Sequence, residues 1–160
     1  AMLLVETPEA VRNIDSILGE SGIDYIHIGL NDLHLGYRMK FMFEPLVDGT
    51  VEMLCKKIKQ KSIPYGFGGI ARLGTGLLPA ENILAEHYRL GSSMVILSRS
   101  FCNVKEFANL DSINQTFKDG IADIRKYEAE LSLKSEEFFL QNKMNLKMLV
   151  DKIKNSCVTD

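Results

Sequence analysis

Two short apolar runs, each ending in a carboxylate, constrain this chain more than any other feature. Leu3-Leu4-Val5-Glu6 opens it, and Tyr25-Ile26-His27-Ile28-Gly29-Leu30-Asn31-Asp32 answers. Each run has the length of a buried parallel strand, with its carboxylate where strand gives way to loop. Glu6 and Asp32 are 26 residues apart. That is the length of a strand, a helix and two loops, so a right-handed βαβ crossover sets the two acids side by side at one sheet edge. Two hard oxygen donors in one crevice, completed by water and substrate oxygens, suit an octahedral divalent cation such as Mg²⁺ or Mn²⁺. Acids at strand ends have another use. Glu6-Thr7-Pro8-Glu9 also reads as a helix start, with Thr7 as N-cap and Pro8 in the first position. Spacing alone leaves both uses open.

Along the chain, an amphipathic helix is expected over about 8–20, with Val11, Ile14, Ile17 and Leu18 on one stripe and Gly19 and Gly22 where it stops. A strand over 24–29 completes the first βαβ unit. Residues 33–44, with Gly36, Tyr37, Arg38 and Lys40, form either a lid or specificity loop or a connection whose Phe41 and Phe43 anchor the next helix in the core. Pro45 starts a helix that continues over 46–61 with Val47, Val51, Leu54, Cys55 and Ile58 inward, and a third strand follows over 63–67. Gly66-Phe67-Gly68-Gly69-Ile70-Ala71-Arg72-Leu73-Gly74-Thr75-Gly76 matches no P-loop or dinucleotide spacing; its glycines suit either an anion held by backbone amides or close backbone packing. Arg72 and Arg99, each just past a strand, suit bidentate binding of a carboxylate or phosphate, or a structural ion pair. A helix over 79–90 ends near Gly91, with His87 packed or at the surface, and a fourth strand covers 94–98.

Leu4-Val5-Glu6-Thr7-Pro8-Glu9-Ala10, then Gly22-Ile23-Asp24 and Ile28-Gly29-Leu30-Asn31-Asp32, resemble the second half of the HpcH/HpaI aldolase and citrate lyase family. The resemblance covers about residues 2–102, the last four βα units of a (β/α)₈ barrel, and is most specific over 4–32. It implies an α/β fold, the C-terminal half of a TIM barrel over 1–103; residues 104–160, beyond the resemblance, read as a helical extension packed on the barrel or on a partner chain. It implies that Glu6 and Asp32 hold the metal. It implies too that Gly29, Asn31 and Asp32 bind substrate, the amides of Asn31 and Asp32 holding its carboxylate; Arg72, from its place past a strand, is read beside them as a further anion contact. The activity it implies is that of a metal-dependent carbon–carbon lyase, class II aldolase-like, on pyruvate- or oxaloacetate-type 2-oxo acids or a phosphoenolpyruvate-like ligand. The sequence departs from the family at Leu30, where proline is usual, and at His27, where an apolar aromatic is usual. The arginine and histidine that complete the family's catalysis lie in the half with no counterpart here; His27 and His34 are nearby, and the catalytic residues stay unassigned.

At 160 residues the chain is shorter than the roughly 250 of a complete barrel, so the lyase reading expects an incomplete site in this chain alone. The alternative is a non-catalytic metal-binding remnant or an oligomerising interaction module. With 25% charged residues and a formal net charge of −2, nothing recommends nucleic acid, and no apolar run reaches a membrane span. The expectation is a cytoplasmic protein. Cys55, Cys102 and Cys157 lack metal-ligand spacing and read as free thiols. From Val104 onward two or three helices are expected, with turns near Asn109 and Ser132. Leu133, Phe138, Leu140, Met144, Leu146, Leu149, Val150 and Ile153 form an apolar stripe there. Four strands cut from a barrel leave two open edges and an inner face of Leu4, Ile26, Ile28, Phe67, Val95 and Leu97, which predicts a homo-oligomer.

Overall fold

A computed structural model of the chain describes residues 1–106 and 109–156. Strand β1 (Met2–Val5) leads into helices α1 (Pro8–Arg12) and α2 (Ile14–Ile17), then strand β2 (Tyr25–Ile28). Thr7 caps α1, its hydroxyl accepting from the Ala10 amide at 3.1 Å, and Pro8 takes the first turn. The helix expected over 8–20 breaks at Asn13, whose backbone (φ −96°, ψ 12°) leaves the helical region. Its apolar stripe survives the break, with Val11, Ile14 and Leu18 buried.

After β2 the chain enters helix α3 (Leu30–Gly36), then α4 (Glu44–Val47) and α5 (Thr50–Gln60). Much of the expected lid is therefore helix and core. Leu33 is fully buried, and Phe43 packs edge-on against Phe41 at 5.5 Å. The Glu44 carboxylate fastens the connection by accepting the Lys40 and Phe41 amides at 2.7 and 2.9 Å. The helix expected over 46–61 is divided at Gly49, whose φ of 97° is open to glycine and strained for other residues. Val51, Leu54, Cys55 and Ile58 face inward as the pattern requires.

Strand β3 (Tyr65–Ile70) runs three residues further than the expected 63–67, so Gly66, Gly68 and Gly69 lie in the sheet. Close backbone packing is the reason. A Cβ on Gly66 would run into the Met94 carbonyl oxygen, and the pairing with the next strand shifts register between Gly66 and Gly69. Helix α6 (Ala80–Leu90) ends at Gly91, and strand β4 (Met94–Leu97) completes a sheet of order β1-β2-β3-β4, every neighbouring pair parallel.

Register assigns the faces. Leu3, Ile26 and Tyr65 align, as do Val5, Ile28 and Phe67, and this face meets the helices. Met2 with Tyr25, and Leu4 with His27 and Gly66, fall on the other. Leu4 does not share a face with Ile26, Ile28 and Phe67, because side-chain parity separates them. Those three are fully buried, Val95 and Leu97 pack against a second cluster around Ile70 and Phe101, and the exposed apolar residues of the sheet are Met2, Leu4, Tyr25 and Ile96.

A 3-10 turn (Val104–Glu106) precedes helices α7 (Leu110–Leu131) and α8 (Glu136–Ser156). Asn109 caps α7 by accepting the Ser112 amide at 2.9 Å. Helix α8 lies along α6 and α4, and its Leu146 and Val150 join the core that contains Val5, Ile26 and Phe67. The buried stripe is Phe139, Asn142, Leu146 and Val150, supported by Leu149 and Ile153. Leu133, Leu140 and Met144 were expected in it and are exposed: Leu133 lies in the turn before α8, and Leu140 and Met144 fall outside the i, i+3, i+4 series that starts at Phe139. Asn142 is accommodated by partners: its amide donates to the Asn82 carbonyl at 3.0 Å, and its side-chain oxygen accepts from Asn82 at 2.7 Å. Next to it Arg89 bridges Glu86 and Glu52, and Lys143 reaches Glu52 at 2.6 Å. Hydrogen bonds from Arg89 and then Lys143 hold the Glu52 carboxyl down at about 2.

Candidate functional site

Glu6 is the first residue beyond β1 and Gly29 the first beyond β2. The Gly29 amide donates to the Val5 carbonyl at 3.0 Å, so the two chain segments leave the sheet together. A Cβ on Gly29 would stand 2.8 Å from both Cβ and Oε2 of Glu6. The carboxylate of Glu6 therefore lies against bare backbone at the mouth of α3. Gly29 is the N-cap of that helix, and Asn31 and Asp32 occupy its exposed first turn, with Asn31 Nδ2 donating to Asp32 Oδ1 at 3.5 Å. Leu30 and Leu33, buried at 1% and 0% exposure, fix α3 on the sheet, which orients its first turn. Leu30 packs over Gly68.

Glu6 thus follows β1 directly, while Asp32 lies in the first turn of α3 and not where strand gives way to loop, as the sequence led one to expect. Among the described residues Glu6 has no hydrogen-bond or ion-pair partner, so its oxygens are open to an outside ligand. Thr7 and Pro8 start a helix at the same point, as the helix-start reading of this segment expects. No group of three or more His, Cys, Asp and Glu side chains is arranged for a metal among the described residues. Two carboxylates remain compatible with Mg²⁺, which keeps several waters and takes one or two protein carboxylates.

The other candidates lie apart. Arg72 is exposed and lines a cleft of about 420 Å³ with Thr75, Gln115, Asp119 and Asp123, its stem against Gly120 of α7. Glu6, Gly29, Asn31 and Asp32 do not line that cleft. Arg99 is exposed just past β4. His27 is buried in register between Leu4 and Gly66, and burial lowers its pKa against a hydrogen bond with the Gly68 backbone. No hydrogen bond joins His27 or His34 to Glu6 or Asp32 among the described residues. Cys55 and Cys102 are free and buried, and burial pushes the Cys55 thiol up to about 12, which removes it from nucleophilic chemistry. Cys157 lies outside the described residues.

The sequence left His87 as either packed or at the surface, and the structure buries it at 6% exposure. His87 stacks on Phe67 with ring centroids 3.7 Å apart, and its Nδ1 meets Ser92 Oγ at 2.8 Å. Its place on the inward stripe of α6 was the available signal.

No protein-family model matches the sequence, and a search of curated proteins finds no match. Among the described residues no helix is long and apolar enough to cross a membrane.

Proposed function

We propose that Glu6 and Asp32 bind Mg²⁺ or Mn²⁺, and that the chain carries the metal-binding half of a barrel-type lyase acting on pyruvate- or oxaloacetate-like 2-oxo acids. The observation that supports this reading most is the Glu6 carboxylate lying on the backbone of Gly29, one helical turn below Asp32. Glycine at that position leaves space that any side chain would take from the carboxylate. The first-turn amides of α3, which have no acceptor within the helix, suit the carboxylate of a small acid, and Asn31 flanks it. A divalent cation supplies Lewis acidity toward the oxygens of a 2-oxo acid. Arg72 lines a separate cleft, so the reading rests on Glu6, Gly29, Asn31 and Asp32.

Calorimetric titration with Mn²⁺ tests the metal. Glu6→Gln and Asp32→Asn are each expected to weaken binding by more than tenfold, roughly the loss of one charge-assisted contact, while Glu9→Gln and Asp24→Asn leave it unchanged. Unchanged affinity in Glu6→Gln overturns the site. Release of pyruvate from oxaloacetate is a separate readout, which distinguishes a lyase from a metal-binding module without turnover. A second reading, an oligomerising module, is favoured by the exposed sheet face, where Met2, Leu4, Tyr25 and Ile96 are 47–60% exposed.

A further inference from the structure

Every crossover in the sheet runs the same way. With the strands in the order β1-β2-β3-β4 and all pairs parallel, the helices come to one face, and the order never reverses to bring helices to the other. A parallel sheet is ordinarily covered on both sides, by helices or by its own closure into a barrel. Here Met2, Leu4, Tyr25 and Ile96 leave the second face open.

The edges are as bare as the face. Strand β1 reads Met-Leu-Leu-Val and β4 reads Met-Val-Ile-Leu, without the lysine, proline or inward charge that blunts an edge strand, and every residue of β4 keeps some exposure. The two edges are complementary in charge where the strands end. Glu6 follows β1 and exposed Arg99 lies just past β4, and neither has a hydrogen-bond or ion-pair partner among the described residues. On the helix-facing side of β4, an open groove toward α7 is lined by Leu84, Val95, Leu97 and Ile124. Leu3 of β1 has the same parity, aligned with Ile26 on the helix-facing side, and is half-buried.

We propose that two copies of this chain close edge to edge, β1 of each pairing in parallel with β4 of the other, into a ring of eight strands about a two-fold axis. Eight is the number at which side chains alone fill the interior of a barrel. Closure pairs all four free edges and turns Met2, Leu4, Tyr25 and Ile96 of both copies inward. It sets Leu3 of one copy at the groove beside β4 of the other. It also brings Arg99 of one copy to the mouth where Glu6 of the other stands, so that both copies line the candidate site. Two sheets stacked face to face would cover the same apolar residues and leave every edge unpaired. The proposal rests on the oligomer reading above and is independent of the metal.

Cross-linking tests the seam, at the exposed amino ends of the two strands and with Cys157 replaced by serine. Chains carrying Met2→Cys and chains carrying Ser93→Cys are mixed and treated with a short bismaleimide. A covalent dimer is expected from the mixture and from neither chain alone. A chain carrying both cysteines is expected to stop at the dimer, because a closed two-fold ring has no free edge on which to grow. Arg99→Glu sets two carboxylates at each seam and is expected to raise the dimer dissociation constant about tenfold in sedimentation, with thermal unfolding of the exposed-site variant as the check on its fold. Dimers that cross-link within either single-cysteine chain, a ladder of larger covalent species, or an unchanged dissociation constant in Arg99→Glu overturns the closure and leaves the oligomer reading standing. A monomer at micromolar concentration overturns both.

Discussion

At Gly29 a single methyl group separates two outcomes. In Gly29→Ala the new Cβ lies 2.8 Å from the Glu6 carboxylate oxygen, and the side chain of Glu6 has to leave the mouth of α3. The backbone there (φ −80°, ψ 88°) is open to alanine, but the Glu6 Cβ also lies 2.8 Å from the new methyl group, so the end of β1 has to shift as well. We expect Mn²⁺ affinity to fall about tenfold together with some loss of melting temperature, read by calorimetry and thermal unfolding on one sample. A second expectation concerns protons. His87 titrates at about 3 in the folded chain against about 6.5 when unfolded, so the unfolded state binds more protons between those values. The stability that the neutral ring contributes is complete above about pH 6.5 and is lost progressively as pH falls toward 3. Urea unfolding across that window should be steeper in pH for the unmodified chain than for His87→Phe; parallel curves would show that another group carries the effect. Nothing in the sequence distinguishes His87 from a surface histidine except its phase on α6. The place of Glu6 at the end of β1 was legible because strand length is local, whereas the helix that takes in Asp32 was not.

Among the elements, α8 shows most clearly what pattern reading can and cannot resolve. A helix with apolar residues on two sides offers two stripes, and only the partner surface of α6 and α4 selects the one that is buried. Leu146→Ala is expected to cost about 2–5 kcal/mol, the range for truncating a leucine in a packed core, while Leu133→Ala, at a site 86% exposed, stays within about 0.5 kcal/mol. Chemical denaturation compares the two. Glu52→Gln weakens the tie from α5 to α8 through Lys143, and hydrogen exchange should rise in α8 ahead of α5. Strand positions and the inward stripes of α5 and α6 were readable because strand length and helical period are local. The division at Gly49 and the extension of β3 through its glycines were not, because each depends on contacts outside its own segment. For β3 that contact is the Met94 carbonyl, which requires Gly66 to have no side chain.

For the whole molecule, one sheet face is covered by helices and the other presents Met2, Leu4, Tyr25 and Ile96 between the open edges β1 and β4. A few hundred Å² of such surface forgoes several kcal/mol at about 25 cal/mol per Å², so self-association is the expected response. Sedimentation at micromolar concentration should find dimers or larger species that Leu4→Glu and Ile96→Lys reduce to monomers; an unmodified monomer that binds no hydrophobic dye counts against the oligomer. Helix α8 has a temporal consequence as well. Its Lys143 pairs with Glu52, 91 residues earlier, and its Leu146 and Val150 complete a core that begins at Val5. Of the described elements it is the last to be synthesised. Until it emerges, the carboxylate of Glu86 lacks the amide of Asn142, and the inner faces of α4 and α6 stay wet. The core that begins at Val5 therefore cannot close before α8 has been made, and it closes through contacts of long sequence separation.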